Sequence, residues 1–340
     1  MHVFNAYRSP DETTNDGATV SVRQARLRVG VIGAGTIVEN IHLPVLANLP
    51  GVCVAWVADR SDDRARRMAR AFDVDARPLC ETDDADILLV AIPMLGRDCW
   101  YEHATRHGMA MFVEKPFAVS LAQHDYLADI VPKRTAVGYQ RRFLATNRFA
   151  RTAVTERWYG DLIGITHAEG GRATRAGAPG YADLQPSEGG GLIVNLGCHG
   201  LDSAMYVSGA TAANIDDRHI VWDDGVDRET DARILLDTPR GEVVLTFKLS
   251  DIAHQPNTTR YQFETAAIEV SVAPTASIGL LRESAAPIRL LLEDGVFTSR
   301  QAGFAQWHSF LGSIARGETP KLAPQNFRLT SQITGELLAR

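Results

Sequence analysis

The sequence predicts two joined folds. The first is an α/β domain with a doubly wound parallel sheet. The second is an α+β domain with a large, mainly antiparallel sheet and helices. Three observations predict this: short apolar runs alternate with helical patterns from 26 to 138, a glycine turn separates the first run from the first helix, and after Phe143 the strands follow one another by hairpins. Strand–helix–strand units need crossovers and give parallel sheets, whereas hairpins give antiparallel ones.

Residues 1–24 are polar, lack periodicity and read as a disordered arm. The first domain is assigned to 25–143. Leu27–Ile32 reads as a strand, followed by the glycine turn and a helix over about 36–48. Val52–Ala58 is the next strand and Asp62–Phe72 the next helix. The run 86–92 (DILLVAI) reads as a fully buried strand. A helix over about 97–108, a strand at Ala110–Val113, a helix over about 119–131 and a strand at 134–139 complete the series. The second domain is assigned to 144–340. It opens with a helix over about 146–158 and a strand near 162–168, then a glycine-rich loop to about 191 and a helix over about 192–207. Short strands fill 229–298, with a hairpin turning across Thr238–Gly241, and helices near 302–316 and 326–339 close the chain.

Composition narrows the function. The chain has 340 residues, 45% hydrophobic and 22% charged, with a formal net charge of −6. An acidic balance favours neither a nucleic acid nor an anionic membrane as partner. No apolar run approaches the ~18 residues of a spanning helix, and the polar start is no secretory signal, so a cytoplasmic location is expected. Cys53, Cys80, Cys99 and Cys198 form no C-x-x-C pair. They read as free thiols, and no metal is expected from them.

The segment after the first strand reads Gly33-Ala34-Gly35-Thr36-Ile37-Val38. A G-x-G turn that follows a strand and opens a helix cradles a pyrophosphate. The first glycine makes the turn, the second lets the backbone approach, and the helix N-terminus offers N–H groups and a positive dipole end. Val38 stands where a third glycine or alanine is usual. Asp59 ends the next strand 24 residues after Gly35, where an acid receives the ribose 2′-hydroxyl and repels a 2′-phosphate. NAD is therefore the expected cofactor. Arg60, next in sequence, leaves NADP open.

Two further motifs carry chemistry. Glu114-Lys115-Pro116 ends a strand at the carboxyl edge, where such sheets bind ligands. A lysine there can shuttle protons, although a lone lysine at a strand end is more often a surface residue. Asn195, His199 and Asp202 are spaced i, i+4 and i+7, so a helix puts them on one face. His199 is suited to general base work near neutral pH and Asp202 to orienting it. Alone, that pattern is more often a solvated helix face.

Together these residues resemble the Gfo/Idh/MocA family of NAD(P)-dependent oxidoreductases (glucose–fructose oxidoreductase and inositol dehydrogenase-like). The resemblance rests on the glycine turn, HLPVL at 42–46, Asp59, Pro93, Glu114-Lys115-Pro116, Gly138-Tyr139-Gln140-Arg141-Arg142-Phe143, the GDLIG run at 160–164 and the stretch 189–202. It implies a Rossmann domain that binds the dinucleotide through Gly33, Gly35, Thr36, Ile37, Asp59, Arg60, Pro93, Glu114 and Lys115. It implies catalysis by Lys115 and His199, with Asn195 where the family usually has Asp, and a small-molecule substrate met by Tyr139, Arg142, Asn195 and Asp202. Arg97 replaces a histidine frequent in the family and is a candidate to meet an anionic substrate or the cofactor, or only to face solvent. The expected reaction is hydride transfer at a carbinol or carbonyl carbon of a sugar, aminosugar or cyclitol-like substrate, by a homo-oligomer (dimer or tetramer). Imine reduction, an NAD-using glycosidase or lyase, and a non-catalytic nucleotide-bound sensor or structural subunit are the alternatives.

Overall fold

A computed structural model describes residues 26–171, 184–271, 276–282, 286–292 and 295–339. The arm expected over 1–24 and the middle of the expected glycine-rich loop lie outside the described residues. Six parallel strands form the first sheet: β1 (Leu27–Ile32), β2 (Val52–Ala58), β3 (Asp75–Ala76), β4 (Ile87–Val90), β5 (Ala110–Val113) and β6 (Thr135–Val137), in the order β3-β2-β1-β4-β5-β6. The order reverses between β1 and β4, which opens a crevice at the carboxyl ends of those two strands. The central strands β4 and β5 are buried at every position, as their unbroken apolar runs require.

Helices cover both faces: α1 (Leu43–Leu46), α2 (Asp62–Phe72), α3 (Asp98–Arg106) and α4 (Leu121–Ile130). The Ser61 side chain caps α2, Asp62 and Asp63 fill its first turn, and Asp73 ends it in the left-handed conformation. The regular helix expected over 36–48 is instead a π turn, Val38–His42, leading into α1. Pro44 has no N–H for the carbonyl of Asn40, so the ordinary ladder fails there. That carbonyl accepts from Arg300 at 3.4 Å.

The second sheet has eight strands: β7 (Leu162–Gly170), β8 (Ala212–Asp223), β9 (Val226–Thr238), β10 (Gly241–Ser250), β11 (Thr258–Phe263), β12 (Ala267–Ser271), β13 (Ser277–Leu281) and β14 (Ile288–Leu290). Their order is β14-β13-β12-β11-β7-β10-β9-β8, antiparallel except for β7 beside β10. β8 was not expected from sequence. Its register slips between Ile215 and Asp217, a bulge that breaks the alternation a strand is recognised by. Two helices, α5 (Ala145–Thr155) and α6 (Cys198–Ser208), pack on this sheet and on each other.

The last two helices, α7 (Ser299–Arg316) and α8 (Arg328–Leu338), tie the domains together. Thr298 and Gln301 form a capping box at the start of α7. Trp307 and Phe310 of α7 belong to the core of the first sheet, not the second. The first fold is therefore completed by chain that lies well beyond 143.

His124 of α4 is buried, with Nδ1 2.8 Å from Ser331 Oγ of α8. Burial pulls its imidazole down to about 4. The unfolded chain takes up this proton near 6.5, so the folded state binds fewer protons between the two values. The contribution is complete above pH 6.5 and is lost as pH falls toward 4, up to about 3 kcal/mol. Urea denaturation at pH 7 and pH 5 is expected to show a larger stability loss for the wild type than for His124→Gln.

Candidate active site

The glycine turn sits at the carboxyl edge beside the β1/β4 crevice. Gly33 has φ +106°, and a Cβ there would lie 2.4 Å from the carbonyl oxygen of Ala91. Only glycine fits. A Cβ on Gly35 would meet nothing within 4 Å, and Gly35 and Thr36 are exposed. The first N–H groups of the following helix thus face an open approach, which fits the pyrophosphate of a dinucleotide. Ile37 is half-buried, and Val38 is buried in the sheet core. The usual third glycine position is thus a packing position here.

Asp59 is buried at the end of β2. Its Oδ2 accepts the Ala34 N–H at 2.8 Å, and its Oδ1 accepts the Ser61 N–H at 2.8 Å and Arg64 Nη2 at 2.8 Å. Burial alone would raise its pKa, but these donors outweigh burial and hold the carboxyl below the usual range. Asp59 is therefore an anion that also fixes the glycine turn. Arg60 beside it is exposed.

The Glu114-Lys115-Pro116 segment is gripped from three sides. The Lys115–Pro116 peptide is cis. Arg97 is 3% exposed, which excludes the solvent or ligand contact considered for it. Its Nη1 donates to the carbonyls of Glu114 (2.6 Å) and Pro116 (2.7 Å), and its Nε to that of Ile92 (2.8 Å). Arg97 is a clamp on the backbone around the lysine. The Glu114 carboxylate turns inward, where Oε1 lies 2.8 Å from His42 Nε2. The Trp307 indole N–H donates to His42 Nδ1 at 2.9 Å. An indole N–H only donates, so Nδ1 accepts and Nε2 carries the hydrogen given to Glu114. Burial pushes the Glu114 carboxyl up, but His42, Lys115 and Arg97 together hold it below its ordinary value. Gly138 makes room for it, since a Cβ there would lie 2.7 Å from Oε1. Glu114, expected to touch cofactor, is thus engaged by His42. Pro93, after β4, is exposed at the same edge.

Lys115 and Asn195, 80 residues apart, meet. Lys115 Nζ donates to the Asn195 main-chain carbonyl at 2.7 Å and to its Oδ1 at 3.2 Å. The helix expected over 192–207 begins as a π turn, Ile193–Gly197, before α6. Its wider spacing presents the Asn195 carbonyl to the lysine. Asp227 of β9 accepts the Ile193 N–H at 2.6 Å and so anchors the start of that turn. Gly191 leaves it space, because a Cβ there would lie 2.1 Å from Asp227 Oδ1.

His199 is 6% exposed in the first turn of α6 and lines a cavity of about 80 Å³ with Gln140, Arg141, Leu144, Phe297, Ser299 and Ala302. Among the described residues its Nδ1 has no hydrogen-bond partner. Burial, then the charges of Arg141 and Lys115, press its pKa well below 6.5. The ring is a neutral acceptor at pH 7. Arg141 itself is fixed by a two-pronged pair with Glu169 (2.5 and 2.8 Å), and Glu169 also lies 3.3 Å from His167.

Three expected substrate contacts are placed otherwise. Tyr139 is 1% exposed and stacks on Phe327 at 4.3 Å, with its ring nearly perpendicular to that of His199 at 6.0 Å. Asp202 is 1% exposed and takes a fork of bonds from Arg142 (2.6 to 3.1 Å), whose guanidinium also lies over Phe327. Asp202 therefore orients Arg142 and not His199. These are core contacts that seat α6 against the β6 edge. His42, Trp307, Arg141 and Asp227 were not expected. His42 lies within the HLPVL run, but its partners are 72 and 265 residues away, beyond any local pattern.

Comparison with known proteins bears on the fold. A family model for oxidoreductases with an NAD-binding Rossmann fold (GFO_IDH_MocA) matches residues 27–140. A dTDP-3,4-didehydro-2,6-dideoxy-alpha-D-glucose 3-reductase of Streptomyces antibioticus is 29% identical over 230 residues, covering 64% of this chain and 67% of its own. A D-glucoside 3-dehydrogenase of Escherichia coli is 28% identical over 207 residues, 57% of each chain. The matched stretches thus span about half to two thirds of these curated relatives. The crystal structure of a 3-ketoreductase from Actinomadura kijaniata in complex with NADP and TDP-benzene superposes with a TM-score of 0.76 at 21% identity, covering 91% of this chain and 96% of that one. That likeness shows the shared fold. Residues 27–140 thus match the NAD-binding Rossmann fold of the Gfo/Idh/MocA oxidoreductases, and the relatives over the wider chain are sugar reductases and dehydrogenases.

Proposed function

We propose that the protein transfers hydride reversibly between NAD(P) and a ring carbon of a hexose-type sugar, with position 3 the favoured carbon. The observation that carries this reading is the pairing of Lys115 Nζ with Asn195 beside the neutral His199, at the sheet edge onto which the glycine turn opens. The names of the relatives support position 3, since the two curated relatives and the ketoreductase are named for reactions there.

When bound, the dinucleotide supplies the nicotinamide C4 that accepts or gives the hydride. In oxidation His199 takes the hydroxyl proton, and the Lys115 ammonium faces the oxygen as it becomes negative. Asn195 cannot take a proton at working pH. Its Oδ1 holds Lys115, which directs its amide N–H groups elsewhere, toward a substrate hydroxyl. In reduction the His199 imidazolium returns that one proton to the oxygen, which the Lys115 ammonium faces as before. Arg141 and Gln140 line the wall of the cavity and address ring hydroxyls.

The test is reduction of NAD+ by methyl glucopyranosides, followed at the reduced-nicotinamide absorbance. Saturable turnover is expected. His199→Asn lowers its kcat by ~100-fold or more, the low end for acid–base groups. The wild-type rate loses its His199-dependent part only below pH 6.5, because the ring stays unprotonated above it. No turnover with any pyranoside or keto-pyranoside would overturn the reading. NAD is proposed over NADP because the Asp59 anion repels a 2′-phosphate. Asp59→Ala is expected to improve the NADPH-to-NADH affinity ratio at least ~10-fold, about 1.4 kcal/mol, measured by fluorescence titration. An unchanged ratio removes Asp59 from the selection.

A further inference from the structure

A second constellation lies at the opposite edge of the first sheet. His103 and His107 are i and i+4 on α3 and its C-terminal cap, with stacked rings 4.5 Å apart. Asp83, four residues before β4, faces both: its Oδ1 is 3.6 Å from His103 Nε2 and 3.9 Å from His107 Nε2. One ligand atom from each of the three lies within 4.8 Å of the others. His107 stands three residues before β5, so all three are at the edge from which the parallel strands set out. Gly33 and Lys115 are at the edge where strands end.

Three features point to a cation. A gap of 3.6 Å is too long for a hydrogen bond, and His103 Nε2 is buried with no partner among the described residues. Donors held ~2.0–2.1 Å from one tetrahedral centre lie about 3.4 Å apart, so the observed gaps close with small side-chain shifts. The residues also flank a cavity of about 350 Å³, lined further by Leu79, Cys80, Thr82, Cys99, Trp100 and Arg106. The carboxyl end of α3 adds negative potential there. Two imidazoles and one carboxylate suit zinc-like first-row cations, not calcium or magnesium, which prefer all-oxygen sets.

We propose that Asp83, His103 and His107 bind a zinc-type divalent cation that clips the segment before β4 to the end of α3, away from the hydride-transfer site. The site is independent of the proposed reaction. The test uses the full chain with ZnCl2 by calorimetry and thermal unfolding, and CoCl2 by visible spectroscopy. One equivalent is expected to bind saturably, and Zn2+ raises Tm. The His103→Gln/His107→Gln variant, with its fold checked by NADH binding, weakens Zn2+ binding at least ~10-fold and loses the Tm rise. NADH affinity is the same with and without Zn2+. Wild-type affinity in that variant would overturn the proposal, as would loss of binding in Cys80→Ser/Cys99→Ser alone, which would assign the metal to the thiols.

Discussion

Lys115→Ala lowers kcat by more than ~100-fold while leaving dinucleotide affinity within a few-fold of wild type. The separation of the two effects follows from how the segment is held. Arg97 grips the carbonyls of Glu114 and Pro116, and His42 grips the Glu114 carboxylate. None of these contacts uses the Lys115 side chain, so the backbone beside the cofactor crevice stays in place. What disappears is the ammonium on Asn195 and with it the charge that meets a developing alkoxide. The lost partner leaves the Asn195 carbonyl in a half-buried position that water reaches, so stability changes little. Steady-state kinetics and NADH titration on the same preparation check this. A variant with wild-type turnover would remove Lys115 from the chemistry.

His42→Ala produces the largest stability loss. The imidazole bridges an indole donor and a buried carboxylate. Without it, the Trp307 N–H has no acceptor there, and Glu114 keeps its charge with only the 3.2 Å Lys115 N–H near its other oxygen. Leaving a buried carboxylate without its hydrogen-bond donor costs about 3 kcal/mol. For a chain of this size that lowers Tm by about 4 °C. Trp307→Phe is the control. It keeps the His42–Glu114 contact and a ring near Phe112, against which Trp307 stacks at 4.4 Å, while removing one hydrogen bond, worth about 1 kcal/mol, and part of a fully buried ring. If His42→Ala also lowers kcat more than Trp307→Phe does, Glu114 positions Lys115.

The relation between sequence and site follows from the same contacts. β1, β2, α2 and β5 were legible to the residue because their apolar runs and caps are local signals. The glycine turn and Asp59 were legible because their spacing is fixed by one strand–helix–strand unit. Lys115 and His199 could be joined only through the family resemblance, because no local spacing reports the partnership of Lys115 with Asn195 80 residues away. Asp202 and Tyr139 misled. Helical spacing reports a shared face but not which neighbour that face meets, and here it meets Arg142 and Phe327. Arg97 misled for the same reason, because an arginine in a loop gives no sign that three carbonyls will surround it. Trp307 carried no signal at all, since it reaches the site from a helix that begins at Ser299.

The most direct test of hydride transfer is isotopic. Purified protein is given a 3-keto-glucopyranoside and NADH carrying deuterium at nicotinamide C4, in separate pro-R and pro-S forms. The account predicts that one form, and not the other, delivers deuterium to ring carbon 3, seen as a one-mass-unit increase in the sugar product. Binding of NADH without deuterium in the sugar from either form would contradict it.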